Sequence, residues 1–100
     1  MIKHIVMWTL KDEAEGADKA ESAAEMKRQL SALPALIPCI RELEVGVGVF
    51  AASPACDVVL YTVFASRADL DAYQAHPEHQ KVVGFVKQVA ASRSVVDYEI

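Results

Sequence analysis

Three side chains that can move protons, His4, Tyr73 and His79, are the chemically suggestive residues of this 100-residue chain. A neutral imidazole beside a pocket can accept a proton from the carbon next to a carbonyl group at neutral pH, and His79 lies in the first turn of a predicted helix. A hydroxyl such as that of Tyr73 can then donate a hydrogen bond to the enolate oxygen. No nucleophile–base pair typical of covalent catalysis is evident in the sequence.

Each of these side chains also has a purely structural interpretation. His4 lies inside an apolar strand, where it can be a core histidine that bonds a backbone carbonyl or another polar side chain. Tyr73 can pack between helix and sheet with its hydroxyl in water, and His79 can be a solvated helix residue. The sequence leaves both interpretations open.

The histidines at 76 and 79 are spaced so that they can share one face of a helix, which also suits a metal ion. A zinc site needs further ligands, and no cluster of Cys, His or Glu accompanies this pair. We therefore expect no metal, and nothing in the sequence predicts another cofactor. Because His76 precedes Pro77, we expect it to end one helix and to cap the next.

The composition limits the classes of function. The chain is 53% hydrophobic with a net charge of −4 and no run of Lys or Arg, so nucleic acid and anionic membranes are poor candidate partners. No apolar run approaches the roughly 20 residues that cross a bilayer, and the start, MIKHIVMWTLKDE, does not resemble a signal peptide. Cys39 and Cys56 form no CxxC motif. We expect a single cytoplasmic domain over residues 1–100, with reduced thiols.

Hydrophobic periodicity and helix caps predict an alternation of strands and helices. Capping boxes at Asp18–Glu21 and Ser66–Asp69 begin two helices, and Pro77 restarts the second. The expected elements are a strand over 2–10, a loop over 11–19, a helix from Asp18 to about Leu33, strands over 40–50 and 56–65, a helix from Ser66 that breaks at His76 and restarts to about Ala91, and a strand over 94–100. This β-α-β-β-α-β order is that of the α+β ferredoxin-like fold, in which the helices cover one face of a four-stranded antiparallel sheet.

The sheet face away from the helices is expected to be apolar as well. Its expected side chains are Ile5, Met7, Val59, Tyr61, Val63, Val96 and Tyr98. Burying each large apolar side chain contributes about 1.5–3 kcal/mol, and such a patch is larger than a soluble monomer usually exposes. We therefore expect a homodimer in which two sheets pack face to face and close a barrel-like core.

The sequence resembles the stress-response A/B barrel family, known as Dabb, over essentially its whole length. The segments that carry the resemblance are IKHIVMWTLKD, IPCIRELEVG, AYQAHPEHQKVVGFV and SVVDYE. The most specific feature is the combination of Tyr73, His76, Pro77 and His79 with His4 in the first strand. The family implies a dimeric α+β barrel, and most bacterial members have no assigned role.

One plant branch of this family contains a polyketide cyclase, which closes a linear tetraketide by an aldol step. The resemblance implies that His79, Tyr73 and the first-strand His4 form a catalytic site. The residues that it implies to line a pocket between the sheet and the helices are Val6, Trp8, Leu30, Leu60, Thr62 and Val82. Leu30 and Trp8 depart from the cyclase, which has an aromatic and a smaller aliphatic residue at these places.

The function remains open at this level. The chain is either a small, stress-related dimer that binds an apolar or aromatic ligand, or a cofactor-independent enzyme acting on a polyketide-like, β-dicarbonyl substrate. The enzyme would be an aldol cyclase, or a monooxygenase similar to the small antibiotic-synthesis enzymes of this fold. A pocket filled by Trp8 and its neighbours favours a purely structural dimer, whereas a cavity that joins His4, Tyr73 and His79 favours the enzyme.

Overall fold

The fold consists of one main sheet with helices packed on one of its faces, in a computed structural model that describes residues 1–100. The strands are β1 (Ile2–Leu10), β2 (Glu13–Ala14), β3 (Ala17–Asp18), β4 (Glu42–Gly46), β5 (Val58–Phe64) and β6 (Ala90–Glu99), and the helices are α1 (Lys19–Ser31), α2 (Leu33–Leu36), α3 (Arg67–Ala75) and α4 (Pro77–Val89). The main sheet has the order β4-β5-β1-β6, and all neighbours are antiparallel. This topology confirms the ferredoxin-like α+β fold. None of the helices is long and apolar enough to cross a membrane.

The central strand β1 shows which face of the sheet the helices cover. Its side chains alternate between buried and half-buried, because successive residues of a strand point to opposite faces. The buried set is Ile2, His4, Val6, Trp8 and Leu10. Its apolar members share one core with Met26 and Leu30 of α1 and with Val82, Val86 and Val89 of α4. The polar His4 is therefore placed on the helix-covered face.

The break between α3 and α4 lies where the sequence predicts it. Proline lacks an N–H and disfavours helical geometry in the preceding residue, so α3 ends at Ala75 and α4 begins at Pro77. His76 has an extended backbone between the helices, and its Nδ1 accepts a hydrogen bond of 3.1 Å from the Glu78 N–H. His76 is therefore the cap of α4, which confirms the prediction.

The two predicted capping boxes differ in the structure. At α1 the box is complete, since the Asp18 carboxylate accepts from the Glu21 N–H and the Glu21 carboxylate accepts from the Asp18 N–H. At α3 only the Ser66 hydroxyl acts, accepting a bond of 3.2 Å from the Asp69 N–H. The second hydrogen bond of a capping box, from the Ser66 N–H to the side chain three residues later, requires a Glu or Gln at that position. The shorter Asp69 side chain does not form this bond.

Two departures from the prediction lie between β1 and β4. The segment 11–19, predicted as a loop, contains the β2–β3 hairpin, whose turn has φ of 53° at Glu15 and 77° at Gly16. Glutamate rarely adopts such a backbone, so only the glycine signalled the turn. The first helix ends at Ser31 rather than near Leu33, and Pro34 lies in the first turn of the separate helix α2, where its missing N–H is tolerated.

The strand boundaries also differ from those predicted. β4 and β5 are shorter than the expected 40–50 and 56–65. β4 ends at Gly46, where a Cβ atom would lie only 2.8 Å from Cγ1 of Val59, a close approach that glycine permits. β6 begins at Ala90 instead of 94, because pairing with β1 extends a segment of low strand propensity. α4 accordingly ends at Val89 and not near Ala91.

The uncovered face of the sheet is apolar over three of its strands. The register places on it Lys3, Ile5 and Met7 of β1, Val63, Tyr61 and Val59 of β5, and Tyr98, Val96 and Ser94 of β6. Val96 is 49% exposed and Tyr98 45% exposed, whereas Val63 is already buried within the chain. β4 adds Glu42 and Glu44, so the β4 edge of this face is acidic. The expected apolar face is therefore narrower than the whole sheet.

Candidate active site

A cavity of about 250 Å³ lies between the sheet and the helices. Its walls come from β1, β5, β6, α1, α3 and α4, and consist of His4, Val6, Trp8, Leu30, Leu60, Tyr73, Gln74, His79, Val82, Val83, Val86, Lys87 and Arg93. Trp8 is part of the wall and leaves the space open. Most of the lining is hydrophobic with a few polar groups, which suits a small apolar ligand.

The structure brings His4, Tyr73 and His79 together at this cavity. The ring centroids of His4 and Tyr73 are 6.2 Å apart, and those of Tyr73 and His79 are 4.3 Å apart. Three elements supply these rings, namely β1, the end of α3 and the first turn of α4. The interruption at Pro77 lets the last two elements present their side chains to one space.

One residue expected at the pocket wall, Thr62, does not reach the cavity. Its side chain is fully buried, and its hydroxyl donates a hydrogen bond of 2.8 Å to the backbone oxygen of His4. Thr62 lies directly opposite His4 in the β1–β5 ladder, so it supports the strand that carries His4. The other residues expected at the wall do line the cavity, namely Val6, Trp8, Leu30, Leu60 and Val82.

The backbone carbonyl of Gln74 fixes the tautomer of His79. Because the helix is interrupted at Pro77, this carbonyl has no helical N–H partner. His79 Nδ1 lies 3.2 Å from the Gln74 oxygen, and the Gln80 side-chain amide donates to the same oxygen at 2.6 Å. Since a carbonyl oxygen can only accept, His79 Nδ1 carries the ring proton and Nε2 keeps its lone pair.

The surroundings of His79 keep its imidazole neutral. Burial lowers the pKa of His79 below its ordinary value of 6.5, and the bond to Gln74 opposes this effect, while the nearby His4, Arg93 and His76 lower the pKa further. The ring is therefore uncharged near pH 7. In that form it can accept a proton from a bound molecule.

Two residues of the cavity wall, Tyr73 and Trp8, carry unsatisfied donors. The Tyr73 hydroxyl and the Trp8 Nε1–H are both buried and have no hydrogen-bond partner. Burial raises the pKa of Tyr73 well above its ordinary value of 10, so the hydroxyl keeps its proton. A buried polar group without a partner costs about 1–3 kcal/mol, and a ligand oxygen would relieve that cost.

His4 has both a structural partner and a place at the cavity. The residue is 2% exposed, and its Nδ1 is hydrogen-bonded to a carboxylate oxygen of Asp97, which lies directly opposite on β6. Because a carboxylate only accepts, Nδ1 is the donor. The structural interpretation of His4, a core histidine satisfied by another polar side chain, therefore applies together with its position in the cavity wall.

The side chains of His76 and His79 both form hydrogen bonds at the break between α3 and α4. The Nδ1 of His76 accepts from the Glu78 N–H, and the Nδ1 of His79 donates to the Gln74 oxygen. No three His, Cys, Asp or Glu side chains lie close enough together to hold a metal ion.

Sequence reasoning missed three polar contributors to the cavity wall, Gln74, Lys87 and Arg93. Lys87 lies eight residues after His79, a spacing that places both on one face of α4. The helical periodicity could therefore have predicted that Lys87 lies near the cavity. Arg93 lies opposite Trp8 on β6, and the predicted start of that strand at 94 left it out. Gln74 acts through its carbonyl, which no residue type reveals.

A family profile matches nearly the whole chain. The profile described as the stress responsive A/B barrel domain, Dabb, matches residues 2–100. This match confirms the resemblance seen in the sequence motifs. No curated protein matches the chain.

Three solved structures illustrate the fold. A dimeric protein of unknown function from Bacteroides fragilis is 33% identical, with a TM-score of 0.86, over 99% of this chain and 95% of that one. A dimeric ferredoxin-like protein of unknown function from Thermobifida fusca is 22% identical, with a TM-score of 0.82, over 99% and 90%. A hydroxynitrile lyase from Passiflora edulis is 16% identical, with a TM-score of 0.81, over 99% and 92%. The last two likenesses concern the fold alone.

Proposed function

Since the chain belongs to the Dabb family of stress responsive A/B barrel domains, we propose that it acts as a homodimer and that its cavity is the active site of a cofactor-independent enzyme. The proposed substrate is a small apolar β-dicarbonyl compound of the polyketide type. The observation that carries this proposal is the state of His79, a neutral imidazole whose Nδ1–H is held by Gln74 beside Tyr73 at an apolar cavity.

The proposed reaction begins with transfer of a proton from the carbon between the two carbonyl groups to Nε2 of His79. The electron pair of that C–H bond forms an enolate, whose oxygen receives a hydrogen bond from the Tyr73 hydroxyl. In an aldol cyclisation of a polyketide-type molecule, the enolate carbon attacks the carbon of a further carbonyl group, farther along the same chain, and His79 returns the proton to the new alkoxide. The reaction is redox-neutral and consumes no co-reactant.

His4 is the third proposed member of the site. It lines the same cavity, with its ring centroid 6.2 Å from that of Tyr73, and Asp97 holds its Nδ1. A side chain with a fixed orientation loses little freedom on contact with a ligand. We therefore assign His4 to the binding of the carbonyl group that the enolate carbon attacks.

The proposed dimer forms through the uncovered sheet face. Support comes from the apolar side chains of β1, β5 and β6 on this face, among them the exposed Val96 and Tyr98. The similar proteins from Bacteroides fragilis and Thermobifida fusca are dimeric. Since the cavity lies on the opposite, helix-covered face, each protomer of such a dimer carries a complete cavity.

Ligand binding without turnover is the second candidate function. It is favoured by the complete burial of Tyr73, whose hydroxyl is shielded by its surroundings. In this account the cavity takes up an apolar molecule, and a stress-related role of the kind in the family description would depend on that uptake.

Deuterium exchange distinguishes the two candidates. The probe is ethyl 3-oxohexanoate, a neutral β-keto ester that exchanges its C2 protons in D2O. The enzyme is expected to accelerate this exchange above the rate in buffer. A pure binding protein would change the fluorescence of Trp8, the only tryptophan of the chain, without any acceleration. Absence of both responses would contradict both candidates.

A further inference from the structure

We propose that the cavity selects an apolar acid, whose carboxylate binds Arg93 at the cavity mouth with Lys87 as a second cation. This inference rests on the proposed function and narrows it, since the proposed β-dicarbonyl substrate then also carries a carboxylate group at one end. Both residues line the cavity and are solvent-exposed, so they form the boundary between the apolar space and water.

The charge of the cavity wall has one sign. Its 13 residues include Lys87 and Arg93 and contain no Asp or Glu. The chain as a whole has 14 acidic and 10 basic residues, so the wall departs from the overall charge balance. An apolar space with cations at its mouth attracts an amphipathic anion and repels a cation.

Neither cation is neutralised by the protein. Lys19, Arg28, Arg67 and Lys81 pair with carboxylates elsewhere on the surface, while Lys87 and Arg93 form no ion pair, like the remaining Lys and Arg residues. Lys87 has a separate structural explanation, because a cation in the last turn of α4 interacts favourably with the helix dipole.

Arg93 has no such explanation. It lies opposite Trp8 in the β1–β6 ladder, on the helix-covered face that also carries His4 and Val6. The proposed carboxylate site therefore depends mainly on Arg93, and Lys87 adds a second positive charge.

The position of Arg93 relative to His79 fits the proposed chemistry. Arg93 and His79 line the same cavity, so a carboxylate bound to the guanidinium places its molecule in the cavity that holds the base. A guanidinium can hold a carboxylate through two parallel hydrogen bonds, which fixes the orientation of the molecule as well as its position. The acid group would then direct its apolar end past His79 into the cavity.

The volume of the cavity sets an upper limit on the size of the acid. The cavity volume of about 250 Å³ equals that of about eight water molecules. Octanoate is a suitable probe, because its chain can lie along Val6, Leu60 and Val82 while the carboxylate stays at the mouth. Octan-1-ol is the matched neutral probe of the same length.

The test compares the two probes by titration of Trp8 fluorescence in the full chain and in variants. Arg93→Gln is expected to weaken octanoate binding about tenfold and to change octan-1-ol binding by less than about twofold. Added NaCl should weaken octanoate binding to the wild type, since the guanidinium is exposed to solvent. The matched control is Arg41→Gln, which removes an exposed arginine outside the cavity wall and should change neither affinity.

Three results would overturn the inference. They are an equal loss of both affinities in Arg93→Gln, an unchanged octanoate affinity in that variant, and no response of wild-type Trp8 to millimolar octanoate.

The octanoate test is independent of the proposed enzyme activity, because octanoate has no ketone and its binding does not involve proton transfer. If the wild type exchanges the neutral keto ester but Arg93→Gln leaves octanoate binding intact, only the anion site is wrong. If octanoate binds through Arg93 without any exchange activity, only the proposed enzyme is wrong.

Discussion

The imidazole of His79 packs against the phenol ring of Tyr73 with ring centroids 4.3 Å apart, although the two residues belong to different helices. In one continuous helix, residues six positions apart would point in directions about 120° apart. The interruption at Pro77 removes this constraint and frees the Gln74 carbonyl that binds His79 Nδ1. A single break in the backbone therefore positions both rings and fixes the tautomer of one.

Replacement of Tyr73 by phenylalanine is expected to change stability and activity in opposite directions. Tyr73→Phe removes a buried hydroxyl that has no partner, so the free energy of unfolding should stay the same or rise, by about 1–3 kcal/mol at most. The exchange rate of the keto ester should fall by about 10²–10³-fold, because the enolate loses its donor. Urea unfolding and exchange kinetics measure the two effects, and a clear loss of stability would show that the hydroxyl has a partner in the folded protein.

The hydrogen bond between His4 and Asp97 is expected to stabilise the core. Asp97→Ala leaves a nearly buried imidazole without its partner and should lower the free energy of unfolding by about 1–3 kcal/mol. Asp97→Asn retains an oxygen acceptor, so its loss should be smaller. Chemical unfolding of the two variants checks this order. Equal losses would mean that the acceptor at this position is unimportant for His4.

The uncovered sheet face is expected to hold the dimer together. Met7→Glu places a charge in the middle of this face, and burial of an unpaired charge costs several kcal/mol, so the variant should dissociate or unfold. Ala24→Glu is the matched control, because it adds the same charge at an exposed position of α1. Light scattering should report a dimer for the wild type and the control, and a wild-type monomer at micromolar concentration would refute the assembly.

The exchange activity should depend on pH through His79. Because burial and the charge of Arg93 lower the pKa of His79 below 6.5, the rate should rise with pH through a midpoint below 6.5 and be level at neutral pH. Removing the positive charge in Arg93→Gln should move the midpoint slightly to higher pH. A rate that rises only above pH 6.5 would contradict the assignment of His79 as the base.

The same lowered pKa has a consequence for stability. The unfolded chain takes up a proton on His79 near its ordinary pKa of 6.5, and the folded chain takes it up only at lower pH. The neutral ring therefore contributes stability that is complete above 6.5 and is lost as the pH falls through the folded pKa. In His79→Gln this part of the acid destabilisation should be absent, which unfolding titrations at several pH values can measure.

Much of the fold follows from local sequence signals, because strong signals mark its main elements. The alternation in β1, the capping box at Asp18 and the proline at 77 are short-range features, and the structure agrees with each. The start of β6 was not predictable in this way. Its first residues have low strand propensity and pair because β1 lies beside them, which is a tertiary effect.

The candidate site shows the same division. The convergence of His4, Tyr73 and His79 followed from a strand face and a proline break. Arg93 and the Gln74 carbonyl depend on the register of β6 and on an unpaired backbone group, which the residue types do not show. Thr62 shares the buried face of β5 with Leu60, yet its hydroxyl turns to the His4 backbone and away from the cavity.

The exchange of ethyl 3-oxohexanoate by the wild type and by His79→Ala tests the central claim most directly. The account predicts that the wild type accelerates deuterium uptake at C2, and that His79→Ala loses about 10²–10⁴-fold of this acceleration with little change in the free energy of unfolding. Gln88→Ala, at an exposed position of the same helix, should keep the wild-type rate. Wild-type acceleration that persists in a folded His79→Ala variant would contradict the account.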